Sequence, residues 1–235
     1  MAERTAEMDE APPRGGAWRR WLRRALLIAV LLPLALIALY RVVPPPGSPY
    51  IAAEAWRLGG VEREWVPMER IAPVMARAAV AAEGANFCRH AGFDIEALRA
   101  AARGGALRGG STISQQTVKN AFLWQGRSWT RKAVEAVLTP VAELAWPKRR
   151  MLEIYLNLAE FGEGTFGVEA AARSRFGVPA AELDARQAAR LAAVLPSPKT
   201  RDAADLPPAL LARADRIMDG AATIRRDGRA ACFGG

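Results

Sequence analysis

Four stretches of the chain hold residue types that can do chemistry. "AAEGANFCRHAGFD" (81–94) ends an alanine-rich helical run on Glu83, followed at once by Gly84. A carboxylate at a helix C-terminus is disfavoured by the macrodipole. Small apolar predecessors would also leave it partly desolvated, which raises a carboxylate pKa toward the range of a general base or acid near neutral pH. A solvated helix-end charge is the plain alternative, and these residues alone leave it open. "GGSTISQQTVKN" (109–120) spaces Ser111, Gln115 and Lys119 by four, on one helical face flanked by Ser114 and Gln116. Uncharged hydrogen-bonding groups with a cation suit a sugar diphosphate, and N–H groups at the helix start would favour its charge. "GRSWTRKAVEA" (126–136) places Arg127, Arg131 and Lys132 before Glu135. Glu135 either pairs with Arg131 at i,i+4 as ordinary helix charge, or faces Glu83 across a cleft with the cations on a leaving diphosphate. "KRRMLEIYLNLAEFGEGTFGVEAAARSRFG" (148–177) reads mainly as core, with Asn157 and Glu160 as candidate lining residues and a tight glycine loop around Phe161 and Phe166. His90, the chain's one histidine, reads as a structural hydrogen-bonder.

Helices must position these groups. Ile71, Val74, Met75, Ala78 and Ala82 stripe a helix that Gly84 closes. Asp94 is placed to cap "IEALRAAAR", and Ser111 to cap "TISQQTVKNAFLW". A longer helix is expected over about 130–145, bent or broken near Pro140. Asp184 and Gln187 form a capping box for "ARQAARLAAVL", and "PPALLARADRIMDGAATI" is a final amphipathic helix. Strand signals are sparse, with "REWVPM" (63–68) the single short candidate.

The N-terminus sets the compartment. An uncharged apolar run follows Trp18, Trp21 and four arginines, and residues 22–43 span a bilayer if Arg23, Arg24 and Arg41 snorkel to its faces. Arginines cluster before the run, so the tail is expected in the cytoplasm and the bulk outside. "RVVPPPG" occupies the place of a small-residue cleavage pattern, so an uncleaved signal anchor is expected. The domain reading is therefore a disordered cytoplasmic tail (1–21), an anchor (22–43), a Pro-rich linker (44–49) and one mostly α domain (50–235). A net charge of +9 calls for an anionic partner. Outside the cytoplasm that partner is a membrane surface or phosphate-bearing lipid and not nucleic acid. Cys88 and Cys232 are too few for a disulfide framework or zinc site and read as unpaired thiols, a single bridge being the alternative.

Together "AAEGANFCRHAGFD", "GGSTISQQTVKN", "RKAVEA", the 148–177 stretch and "ARLAAVLPSP" resemble, in order, the bacterial peptidoglycan glycosyltransferases of bifunctional penicillin-binding proteins and monofunctional enzymes. The resemblance covers about residues 50–198 and is most specific at "GGSTISQQ"; no transpeptidase motif set follows, which matches the monofunctional biosynthetic type. It implies a lysozyme-like, two-lobed helical fold whose smaller jaw dips into the bilayer. It implies lipid II and the growing glycan strand as substrates, with other cell-wall synthesis or division proteins as partners. By position, Glu83 matches the base that deprotonates the acceptor 4-hydroxyl. Lys119 and Arg127 match diphosphate contacts, and Ser111, Gln115, Gln116, Arg131 and Lys132 match cleft-lining positions. Glu135 matches the second glutamate, assisting the leaving group directly or through a divalent cation (Mg or Mn) on the diphosphate; no cofactor is otherwise required. The family's usual aspartate after the base is Gly84 here, with Asp94 the neighbour able to take its part. Two rivals remain: a lytic peptidoglycan-cleaving enzyme with Glu83 as acid, and a silent wall-synthesis scaffold.

Overall fold

The computed structural model describes residues 16–103, 110–126 and 128–234. Helix α1 (Gly16–Tyr40) runs through Pro33 and contains a 23-residue candidate membrane span, Trp18–Tyr40, whose apolar part is almost wholly exposed. At 1.5 Å per residue this exceeds the roughly 30 Å of a bilayer's hydrocarbon core. It fits a membrane anchor. The helix includes residues before the expected span at 22–43, and it stops before the prolines of the exit segment. Its C-terminal end is fastened to the domain. Trp146 Nε1 donates to Ile37 O at 2.7 Å, Arg150 reaches Tyr40 O and Val43 O at 2.9 and 2.8 Å, and Tyr40, Phe122 and Trp146 stack in sequence.

The rest is mostly helical: α2 (Pro49–Leu58), α3 (Pro73–Glu83), α4 (Ile95–Arg103), α5 (Ile113–Phe122), α6 (Trp129–Ala145), α7 (Lys148–Leu158), α8 (Val168–Phe176), α9 (Ala185–Val194) and α10 (Pro208–Arg226). α3, α9 and α10 pack as one group, and α5 with α6 and α7 as another. Both feed one continuous core. Alanines 76, 78, 79, 188, 189, 192 and 193 are buried where α3 and α9 meet their neighbours, so helix axes approach closely. α7 is the central post, buried from Met151 to Leu158. Its Asn157 amide bonds both Val66 N and Val66 O at 2.9 Å, so this polar residue serves the core and not a site.

Several local expectations change. Thr112, not Ser111, caps α5, in a capping box with Gln115. Thr112, Ile113, Ser114 and Gln115 are all buried, so this helix start is closed to an anion. Ser128 caps α6, which passes Pro140 unbroken. A small sheet of β1 (Glu62–Arg63), β2 (Glu160–Gly162) and β3 (Thr165–Phe166), ordered β1-β3-β2, forms where a loop and one strand candidate were expected. Two-residue strands carry no legible alternation. Gly167, at φ 87°, ends this hairpin, and a Cβ there would lie 3.0 Å from Asn157 O. The Asp184–Gln187 capping box forms as expected.

Cys88 and Cys232 are not free thiols but a disulfide across 144 residues, with Cα atoms 5.7 Å apart. The turn after α10 returns the C-terminus to the end of α3, a proximity that sequence spacing cannot register. On the chain-entropy account such a long closed loop is worth about 5 kcal/mol. His90 also differs from expectation. Its Nδ1 is buried with no hydrogen-bond partner among the described residues, and the ring packs edge-on to Phe87. Its backbone oxygen does the bonding, accepting from Lys148 Nζ at 2.7 Å.

Candidate active site

Glu83 is the last residue of α3, and its side chain is 14 % exposed. Oε2 accepts from Gln116 Nε2 at 2.8 Å. Tyr155 Oη donates to Gln116 Oε1 at 3.5 Å, which turns the amide so that its N–H₂ faces Glu83. Oε1 lies 3.9 Å from Arg213 Nη2 on α10 and accepts no hydrogen bond among the described residues. Burial raises the Glu83 pKa; Gln116, Arg213 and Lys119 oppose the shift without cancelling it. A carboxylate so placed holds a free oxygen lobe and an elevated basicity, as a general base requires.

Glu135 on α6 is buried at 2 % exposure and fully engaged. Arg131 Nη1 donates to it at 2.8 Å, Lys132 Nζ pairs with its other oxygen, and Gln115 Nε2 approaches at 3.5 Å. Lys132 also reaches the exposed Ser111 Oγ at 3.2 Å. The i,i+4 pair with Arg131 therefore exists, but inside a buried network. Lys119 on α5 lies within reach of both carboxylates: burial lowers its pKa, Glu135 and Glu83 hold it up, and Arg131 and Lys132 lower it further. Lys119, Arg131, Lys132 and Arg213 set four cations against two carboxylates, an excess of two positive charges. Arg127 lies outside the described residues.

A cavity of about 370 Å³ opens beside this cluster, lined among others by Gln116, Lys119, Tyr50, Tyr155, Glu160 and Lys199. Glu83 and Glu135 do not line it; Gln116 joins the wall to Glu83, and the charge of Lys119 couples it to both. Glu160 does line it, with an oxygen held by Tyr50 and another accepting Gly164 N at 3.1 Å. Sequence reasoning missed Tyr50, Tyr155, Lys199 and Arg213. Lys199 directly follows "PSP" of a motif already singled out, so a signal existed; Arg213 looked like one charge among many on an amphipathic helix.

Gly84 has φ −179°, extended backbone open to any residue, and a Cβ there would meet Ile113 at an ordinary 3.7 Å. No close packing requires glycine. Asp94 accepts from Asn86 Nδ2 at 3.0 Å. Gly84→Asp is therefore expected to fold, with a stability loss within about 1 kcal/mol from the unfavourable helix end. The added anion would raise the Glu83 pKa, moving the acid limb of the pH–rate profile upward. Thermal melting and that profile check both outcomes. Among the described residues no three His, Cys, Asp or Glu side chains are grouped to hold a metal ion, and Glu135 is already occupied by two cations, so these residues do not form a divalent-cation cage.

The transglycosylase family model matches residues 52–222, which include every described site residue named above except Tyr50. The chain belongs to the transglycosylase family. Its mostly α fold is the lysozyme-like fold of transglycosylases. Relatives named "Biosynthetic peptidoglycan transglycosylase" are similar along nearly their whole length. The one from Jannaschia sp. (strain CCS1) is 61 % identical over 92 % of this chain and 91 % of its own. That from Rhodospirillum centenum is 51 % identical over 91 % and 96 %, and that from Caulobacter vibrioides 45 % over 92 % and 99 %. The transglycosylase match stops at residue 222, before the turn that carries Cys232.

Proposed function

We propose that this chain is a membrane-anchored glycosyltransferase that polymerises lipid II into β-1,4-linked peptidoglycan strands with inversion. Glu83 takes the proton of the acceptor 4-hydroxyl; the freed oxygen bonds to the donor anomeric carbon as the bond from that carbon to the diphosphate breaks. Undecaprenyl diphosphate leaves with the electron pair. A base on one face and a leaving group on the other is the geometry of inversion. A diphosphate leaves readily once its charge is met, so placed cations matter more than a strong acid. Lys119, Arg131 and Lys132 have that role, with Arg127 by motif position; Glu135 holds Arg131 and Lys132 in place, and Ser111, Gln115 and Gln116 order the polar wall.

The observation that carries this reading is the cation-rich cluster around a buried, elevated carboxylate with a free oxygen. A lytic enzyme on the same fold would need the carboxylate but not the cations, since a glycan strand carries no diphosphate. The arginine-flanked anchor supports a cytoplasmic tail and an outer catalytic domain (residues 50–235), and the disulfide fits an oxidising compartment. Trp129, Val137 and Leu144 are exposed on α6, next to the anchor, as a face that enters the bilayer where a lipid substrate resides. The test is full-length protein in detergent with labelled lipid II, and separately with preformed strands. Polymer from the first and no shortening of the second is expected; shortening without polymer would establish the lytic reading.

A further inference from the structure

The C-terminal segment returns to the catalytic helix at three levels. α10 lies across α3 so closely that a Cβ on Gly220 would sit 3.2 Å from Ala81 Cβ. Near its start, Arg213 places a guanidinium 3.9 Å from Glu83, with Nε buried and unpartnered among the described residues. Beyond its end the chain turns back onto the loop that follows Glu83. Arg229 Nη1 donates to Ala85 O at 3.4 Å, Cys232 is bonded to Cys88, and buried Phe233 packs on buried Phe87 with centroids 6.4 Å apart. The opposite side of that loop is held by Lys148 on His90 O and by Thr112 Oγ1 on Gly92 O at 2.6 Å.

We propose that residues 208–233 are a clamp on the catalytic base, with Arg213 and the Cys88–Cys232 bridge as its positioning contacts. It rests on the reading of Glu83 as that base. The clamp answers a specific weakness. Glu83 is the last residue of its helix, where ends fray and the macrodipole opposes an anion, and Gly84 brings no side chain to fix it. Arg213 lies within the family match, and residues 223–233, which carry Arg229, Cys232 and Phe233, lie beyond it.

The groups facing Glu83 are Gln116 and Lys119 from α5, Tyr155 from α7 and Arg213 from α10. Removing Arg213 takes away an opposite charge and should raise the pH of the acid limb of kcat/KM for lipid II. An ion pair at this distance and partial exposure predicts a shift of about half to one pH unit. The full chain is assayed as wild type, Arg213→Gln, Arg213→Lys and the Cys88→Ser/Cys232→Ser pair, with Glu83→Gln alongside. Expected are an upward limb shift in Arg213→Gln, rescue of most of it in Arg213→Lys, and in the cysteine pair a kcat loss of about three- to tenfold with KM little changed and the limb moved the same way. A merely structural role would lower Tm and leave every limb in place, which overturns the clamp. Should Arg213→Gln fail to fold, the lysine variant and the cysteine pair decide by the same limb. Glu83→Gln separates the two readings: an active Glu83→Gln removes the base itself, whereas an inactive one, with unmoved limbs in the Arg213 and cysteine variants, removes the clamp alone.

Discussion

Glu83→Gln is expected to abolish polymerisation, lowering kcat about 10³-fold with KM for lipid II nearly unchanged, as loss of a positioned general base does. The glutamine keeps the volume and can still bond Gln116, so the cleft is not reshaped. What disappears is the one oxygen free to take a proton. Stability moves the other way. Burial raises the folded-state pKa of Glu83 above its unfolded value, so the folded chain binds the proton more tightly. Stability is therefore lost as pH climbs from the unfolded pKa to the folded one, and above both the ionised carboxylate is a standing cost. Glu83→Gln removes that cost and should melt higher than wild type at neutral pH, with the difference vanishing in acid. A variant that is inactive and melts lower would point to a structural glutamate instead. Activity in the wild type should rise through the raised Glu83 pKa, since only the carboxylate form accepts the proton.

Local chemistry was readable and long-range chemistry was not. The capping box of Asp184 and Gln187 is a four-residue pattern with one physical meaning, and it forms. At α5 the cap was expected one residue early, at Ser111; Thr112 takes it because Gln115, three residues on, completes the same capping-box pattern, and Thr112 is also buried and bonded to Gly92 O. That single step turns Gln115 inward to Thr112 and Glu135 and away from an open face. Glu135 itself satisfied both readings offered for it, because an i,i+4 pair and a buried site network share the same spacing. The contacts that decide the site, Arg213 on Glu83, Tyr155 on Gln116 and Cys232 on Cys88, join residues 130, 39 and 144 positions apart. No periodicity spans such distances. The glycine loop concealed a sheet for a related reason: strands of two or three residues are set by their partners and by Gly167 against Asn157, not by alternation of their own.

Lys119→Met should be the second large loss, about 10²- to 10³-fold in kcat/KM for lipid II, the scale of removing one placed charge from a site where negative charge develops. Among the described residues Lys119 joins the three parts of the site: it lines the cavity, and its ammonium feels both Glu83 and Glu135. Methionine keeps the stem and its packing, so the loss is of charge. Removing that cation also takes away part of what opposes the raised Glu83 pKa, so the acid limb should move upward as the rate falls. Lys199 is the control, since it lines the same cavity but its ammonium is spent on Glu54 at 2.7 Å. Lys199→Met should cost less than about tenfold, because its ammonium is held on Glu54 and is not among the charges acting on Glu83. If the two lysines proved equal, the cavity would be reading total charge and not a placed ammonium. If Lys119→Met left polymerisation intact, the leaving diphosphate would have to be met elsewhere, at Arg131 and Lys132, and Glu135 would be holding the leaving-group site by itself.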